Sequence, residues 1–132
     1  MNRIVHFEIY VDDMPRATKF YTDVFGWTIS EWSGGGMTYM TIMTAPVGST
    51  ELGINGGMIK RPAPAPAPEQ GLNAFACTVV VENYDVTAAK ILAAGGREAM
   101  PKFAIPGMAW QGYFLDTEGN TFGIHQADPN AK

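Results

Sequence analysis

The stretch Val5-His6-Phe7-Glu8-Ile9-Tyr10-Val11-Asp12-Asp13 decides the fold, because its ending comes back 70 residues later as Val81-Glu82-Asn83. Other landmarks keep that offset without a gap. Gly26 returns as Gly96, and Leu52-Gly53-Ile54-Asn55 returns as Phe122-Gly123-Ile124-His125. Self-similarity at a fixed offset is a statement about architecture. A unit this long, present only twice, indicates two copies of one supersecondary module rather than a solenoid. The expectation is that they are fused and packed around a shared cleft.

Working outward, residues 5–11 read as a strand rich in β-branched and aromatic residues. Alternation puts His6, Glu8 and Tyr10 on one face, and Val5, Phe7, Ile9 and Val11 on the other. Asp12 or Asp13 can cap a helix that has Pro15 in its first turn. Ala17, Phe20, Tyr21, Val24 and Phe25 then form an apolar stripe at helical spacing, and Gly26 can end the helix. Strands are expected at 27–32, at 37–44 after the turn Gly34-Gly35-Gly36, and at 52–60. The second half repeats the order, with a strand at 75–82, a helix at 86–94 stopped by Gly95-Gly96, and strands at 97–100, 108–116 and 121–126. Between the halves, residues 62–68 alternate Pro and Ala, which favours an extended polyproline spacer of roughly 20 Å. Module one is therefore placed at 1–61, the linker at 62–70, module two at 71–126 and a loose tail at 127–132. The fold class is α+β, two βαβββ modules forming an open, barrel-like cleft.

A chain of 132 residues with 46% hydrophobic content can bury a real core. Its net charge of −4, with Lys and Arg scattered, argues against nucleic acid or an anionic membrane as partner. No apolar stretch approaches the roughly 18–20 residues of a membrane span. The start of the chain shows no signal-peptide core, and one cysteine, Cys77, cannot build a disulfide framework. A cytoplasmic protein is expected, with Cys77 as an inert core thiol. Ser-His-Asp, P-loop, Rossmann and zinc Cys-x-x-Cys patterns do not occur.

Taken together, His6-Phe-Glu-Ile-Tyr-Val-Asp-Asp-Met14, Phe20-Tyr21, Phe25-Gly26-Trp27, Gly95-Gly96 and Asp116-x-Glu-Gly-Asn120 resemble the vicinal oxygen chelate superfamily. That superfamily includes glyoxalase I, the bleomycin and fosfomycin resistance proteins and the extradiol dioxygenases. The resemblance spans nearly the whole chain and is strongest to small bacterial glyoxalase-related members. It implies a homodimer and a small-molecule ligand. In metal-dependent members each module gives one ligand from its first strand and one from its last. Carried over, those positions fall on His6, Ala76, Gly53 and Gly123, so three of the four lack a donor side chain. The usual metal site is expected to be absent, and no cofactor is expected.

Two residues further along the same faces stand Glu8, Thr78, Asn55 and His125. His6, Glu8 and His125 could in principle form a rearranged two-His, one-carboxylate metal site. Without metal, Glu8 is the candidate general base, with His6 or His125 as acid or electrophile. Tyr10, Tyr39, Asn55, Thr78, Trp110 and Tyr113 are candidate substrate-binding residues. The competing structural reading makes His6 a hydrogen-bonded strand residue, Glu8 a solvated or ion-paired one, and the aromatic residues core. Two functional classes remain: a glyoxalase-like enzyme acting on a small oxygenated or aromatic metabolite, and a bleomycin-resistance-type protein that binds such a molecule without catalysis. Activity as a true glyoxalase I is not expected.

Overall fold

The computed structural model describes residues 4, 6–32, 38–70 and 75–132. Val5 and the Gly34-Gly35-Gly36 turn lie outside the described residues. The chain divides into two compact units, Met1–Ala65 and Pro66–Lys132.

The first unit runs β1 (Phe7–Val11), α1 (Met14–Phe25), β2 (Thr28–Glu31), β3 (Tyr39–Met43) and β4 (Gly56–Lys60). Its sheet has the order β1-β4-β3-β2, with β1 parallel to β4 and the other pairs antiparallel. The second unit repeats this as β5 (Cys77–Val80), α2 (Tyr84–Ala93), β6 (Arg97–Ile105), β7 (Ala109–Leu115) and β8 (Thr121–Ala127), in the order β5-β8-β7-β6. Each sheet is open, with two free edges. The α+β reading as two βαβββ modules is what the structure shows.

Helix α1 starts where the sequence predicts, whereas α2 starts at Tyr84, two residues before the expected 86. Asp13 caps α1 by accepting from the Arg16 amide at 2.9 Å, and Asn83, its counterpart 70 residues on, caps α2 through the Val86 amide at 2.9 Å. Each satisfies an amide that the helix itself leaves without a partner. Gly26 ends α1 in the left-handed conformation, φ 70°. In the second unit that conformation falls on Gly95, not Gly96, and α2 is two residues shorter. Gly96 is needed for a different reason: a Cβ there would stand 2.6 Å from Ile91 Cγ2.

Each helix covers one face of its own sheet. Ala17, Phe20, Tyr21 and Val24 of α1 meet the side of the sheet that carries Val11, Ile42 and Met58, all fully buried. Trp27 extends this core by stacking on Tyr21, with ring centres 5.2 Å apart. In the second unit Tyr84 and Ile91 of α2 pack against the side of Phe114, Phe122 and Ile124. Burying such side chains stabilises each unit by about 1.5–3 kcal/mol apiece. It also leaves the opposite face of each sheet without a helix.

Three expectations need correction. The last strand of module one begins at Gly56, not Leu52, because the loop before it is closed by its own hydrogen bonds. Strand β6 extends to Ile105, past the expected end at Met100, and tolerates Pro101 because it is an edge strand. The ladder shifts register on both sides of that proline, between Glu98 and Met100 and between Met100 and Phe103. The tail is held rather than loose. Asp128 accepts from Trp110 Nε1, its own amide bonds to the Met108 carbonyl, and the Ala131 carbonyl accepts from Gly107. Residues 68–70 form one turn of 3-10 helix at the end of the Pro/Ala run.

Tyr84 offers a test of this packing. Its hydroxyl is buried with no hydrogen-bond partner and lies where a Cβ on Gly112 would stand, 1.9 Å away. Burial, aided by the nearby charges of Glu98 and Asp85, pushes this phenol up. Removing an unpaired buried hydroxyl should leave stability unchanged or raise it by about 1 kcal/mol. Denaturant unfolding of Tyr84→Phe measures this; a loss of similar size would mean that the hydroxyl has a partner.

Candidate functional site

Strand pairing identifies which side chains share the face without a helix. Residues paired across strands stand side by side. In the first unit one such row is Glu8, Gly57, Thr41 and Ser30, and the next is Tyr10, Ile59 and Tyr39. In the second unit the corresponding rows are Thr78, Gly123 and Tyr113, then Val80, His125, Gln111 and Phe103. This register revises the internal repeat. Glu8 pairs with Gly57 as Thr78 pairs with Gly123, so the last strands correspond at an offset of 66, not 70. The counterpart of Gly123 is Gly57, not Gly53, and the counterpart of His125 is Ile59, not Asn55.

The first unit's face holds a polar cluster that the sequence names only in pieces. Tyr39 Oη lies 3.0 Å from His6 Nε2 and donates to Glu8 Oε1 at 3.4 Å. His6 and Glu8 are exposed on β1 or just before it, while Tyr39 reaches them from β3, across β4. It can do so because β4 carries glycine at the crossing point. A Cβ on Gly57 would stand 1.8 Å from Tyr39 Oη and 2.2 Å from its Cζ. The missing side chain is thus the seat of the phenol. Desolvation, together with the Glu8 charge and hydrogen bond, holds the Tyr39 hydroxyl above its ordinary range. It is a neutral donor at physiological pH. One phenol has one proton. With that proton directed at Glu8, the oxygen accepts from His6 Nε2–H, giving a directed chain from imidazole through phenol to carboxylate.

Around this cluster stand groups of two kinds. Trp32, half exposed, meets the Tyr39 ring edge-on at 6.2 Å. Ser30 and Thr41 hydroxyls pair at 3.0 Å on the same face. Tyr10 is also on this face and 45% exposed. Asn55 is elsewhere. Its carboxamide accepts from the Thr44 amide at 2.9 Å and from the Thr44 hydroxyl at 3.2 Å, closing the β3–β4 loop.

In the second unit His125 Nδ1 lies 2.9 Å from Gln111 Oε1. Gln111 is 5% exposed and leans over Gly123, where a Cβ would stand 2.8 Å from its Nε2 and 2.8 Å from Thr78 Oγ1. Thr78, Tyr113 and His125 share that face; Trp110 does not. It pairs with Gln126 on the helix side and donates to Asp128, with Lys102 Nζ 4.7 Å from its ring centre. Its geometry is that of a structural clamp. Cys77 is exposed, which corrects its reading as a core thiol. Sequence reasoning missed Trp32, Gly57 and Gln111. The Gly56-Gly57 pair was the available signal; for Gln111 there was none.

The donors of the first unit do not by themselves make a site for a divalent ion. The first unit supplies one imidazole and one carboxylate already bridged by a phenol, whereas a stable site needs three or four convergent ligands. Among the described residues, no three His, Cys, Asp or Glu side chains come together to hold a metal.

Known proteins agree with this architecture. Residues 3–42 match the family described as bleomycin resistance protein-like N-terminal. The chain is 28% identical over 125 residues to CFP32 of Mycobacterium bovis and of Mycobacterium tuberculosis, provisionally named a glyoxylase. That match covers 92% of this chain but 44% of the relative, so the chain spans less than half the length of those proteins. Among solved structures it resembles the fosfomycin resistance protein FosX from Listeria monocytogenes, with a TM-score of 0.71 at 17% identity over 97% of this chain and 94% of that one. A glyoxalase-related enzyme from Fulvimarina pelagi gives 0.67 at 15% identity, over 96% and 88%. A variant of FosX has been solved with Mn(II) and 1S,2S-dihydroxypropylphosphonic acid. The chain has the fold of the vicinal oxygen chelate superfamily. Among the described residues, no helix is long and apolar enough to cross a membrane.

The phenol at the centre of the cluster sets a pH prediction. Its folded pKa lies above the unfolded value near 10. Its contribution to stability is therefore whole below about pH 10 and is lost as pH rises through the folded value. In an ultraviolet titration the tyrosine that disappears in Tyr39→Phe should ionise above pH 10, and should shift down in Glu8→Gln. Ionisation of that tyrosine at or below the ordinary value would contradict the cluster.

Proposed function

We propose that this protein acts on a small oxygenated or aromatic metabolite at the helix-free face of its first unit, by proton transfer without a resident metal. The observation that carries the reading is the position of Tyr39 Oη, between His6 Nε2 and Glu8 Oε1 and above a glycine. Glu8 is the base. It takes the proton from a carbon next to a carbonyl, and the electrons of that C–H bond move into an enolate. The enolate oxygen then accepts from the Tyr39 hydroxyl, with His6 behind it. With an α-hydroxycarbonyl substrate the hydroxyl proton passes from one oxygen to the other and Glu8 returns its proton to the former carbonyl carbon, so the isomer forms with no net oxidation or reduction. A neutral phenol and an imidazole are suited to holding charge that develops on oxygen. Trp32 supplies a flat apolar wall for a planar ligand. Homodimerisation and a cytoplasmic setting complete the proposal; light scattering of the purified protein tests the first.

The alternative is sequestration without chemistry. The match of residues 3–42 to a bleomycin-resistance-like family favours it, as does the exposed Trp32. One experiment separates the two. Small α-hydroxycarbonyl compounds are incubated with the protein in deuterated water and followed by proton NMR. Enzyme activity predicts washout of one carbon-bound proton, reduced by at least about 100-fold in Glu8→Gln, with the melting temperature little changed. Saturation transfer to a compound whose protons never exchange would leave the binding reading in its place.

A further inference from the structure

The second unit carries a polar couple that the proton-transfer reading of the first does not use. The chain has two histidines, and the structure ties each by a different nitrogen: His6 by Nε2 to a phenol, His125 by Nδ1 to a carboxamide. Gln111 is the counterpart of Tyr39. Tyr39 pairs with Ile59 as Gln111 pairs with His125, and each leans over the glycine two places earlier in the last strand. Both modules thus build the same device with different chemistry.

We propose that Gln111 is a positioning residue that fixes His125 as the Nδ1–H tautomer, so that its bare Nε2 is a hydrogen-bond acceptor for an acidic hydroxyl of a ligand. The argument rests on the carboxamide. Its oxygen has no proton to give, so at 2.9 Å it accepts, and the proton must sit on Nδ1. A neutral imidazole with a proton on Nδ1 has a lone pair on Nε2. Gln111 is itself held: it is 5% exposed, and its Nε2 end fills the space above Gly123, so the amide cannot swing away from the ring. Nothing on the described residues occupies His125 Nε2. It stands on the helix-free face with the Thr78 hydroxyl and Tyr113. The ligand class is one whose O–H is a good donor, such as an enol, a phenol or a carboxylic acid. His6 is the opposite case. Its Nε2 proton goes to Tyr39, so it presents a donor where His125 presents an acceptor.

The test is two-bond proton–nitrogen correlation NMR on protein labelled at histidine nitrogen, at a pH where both rings are neutral. With two histidines, His125→Gln assigns the signals. The expected result is opposite tautomers, Nδ1–H for His125 and Nε2–H for His6. Gln111→Leu, which keeps the bulk and removes the acceptor, should return His125 to the Nε2–H form that free imidazole side chains favour. Gln111→Glu, which restores an acceptor, should hold Nδ1–H, an outcome that a merely space-filling Gln111 would not give. His125 found as Nε2–H in the unaltered protein overturns the proposal even if neither variant folds. So does an Nδ1–H signal that survives Gln111→Leu. Failure of the deuterium washout would leave this result untouched, since no turnover is measured.

Discussion

The parallel pairing of the first strand with the last is the constraint from which each unit's surface chemistry follows. It sets Glu8 beside Gly57 and Thr78 beside Gly123. Because those two strands are neighbours, a side chain from the third strand must cross the last one to reach the first. A residue with a Cβ at the crossing would block it, at under 2 Å in the case of Tyr39. Glycine there does more than spare a metal ligand: it opens a channel along the sheet surface through which a phenol joins two groups that stand on the edge strand. The cost is local, since a glycine in a strand interior loses entropy on folding and packs nothing.

The helices make this possible from behind. With α1 covering Val11, Ile42 and Met58, and α2 covering Phe114, Phe122 and Ile124, the apolar demand of each sheet is met on one side. The other side is free to carry charge and hydroxyls, which would be expensive to bury without partners. The two units then diverge. The first places an ionisable phenol between an imidazole and a carboxylate. The second places a carboxamide against an imidazole and leaves out the carboxylate, because Thr78 stands where Glu8 does. A duplicated scaffold thus offers two faces of different composition, one with a phenol between an imidazole and a carboxylate and one with a carboxamide against an imidazole. Trp110 shows the limit of reading faces by residue type. Its indole serves the helix side, held by Asp128 and Lys102, although its composition fits a ligand wall equally well.

Local signals in the sequence were legible wherever one residue acts on its immediate neighbours. The cap Asp13, the left-handed Gly26, the stripe Ala17-Phe20-Tyr21-Val24 and the period-two strands all appear where chain stereochemistry puts them, and with them the order βαβββ, twice. His6, Glu8 and Tyr10 were placed on one face by alternation alone. The 70-residue offset was sound from β1 to the helix N-caps and failed beyond them, where Gln111 answers Tyr39 at 72 and Gly123 answers Gly57 at 66. The loop between the third and fourth strands is longer in the first module: Thr41 pairs with Gly57, whereas Tyr113 pairs with Gly123. The chance likeness of Leu52-Gly53-Ile54 to Phe122-Gly123-Ile124 concealed that difference. Only the tertiary structure could decide which glycine stands opposite Glu8, that Tyr39 lies across it, and that Gln111 holds His125. The reason is physical: periodicity fixes which way a side chain faces, but strand register, set by loops and cross-strand hydrogen bonds, fixes what it meets.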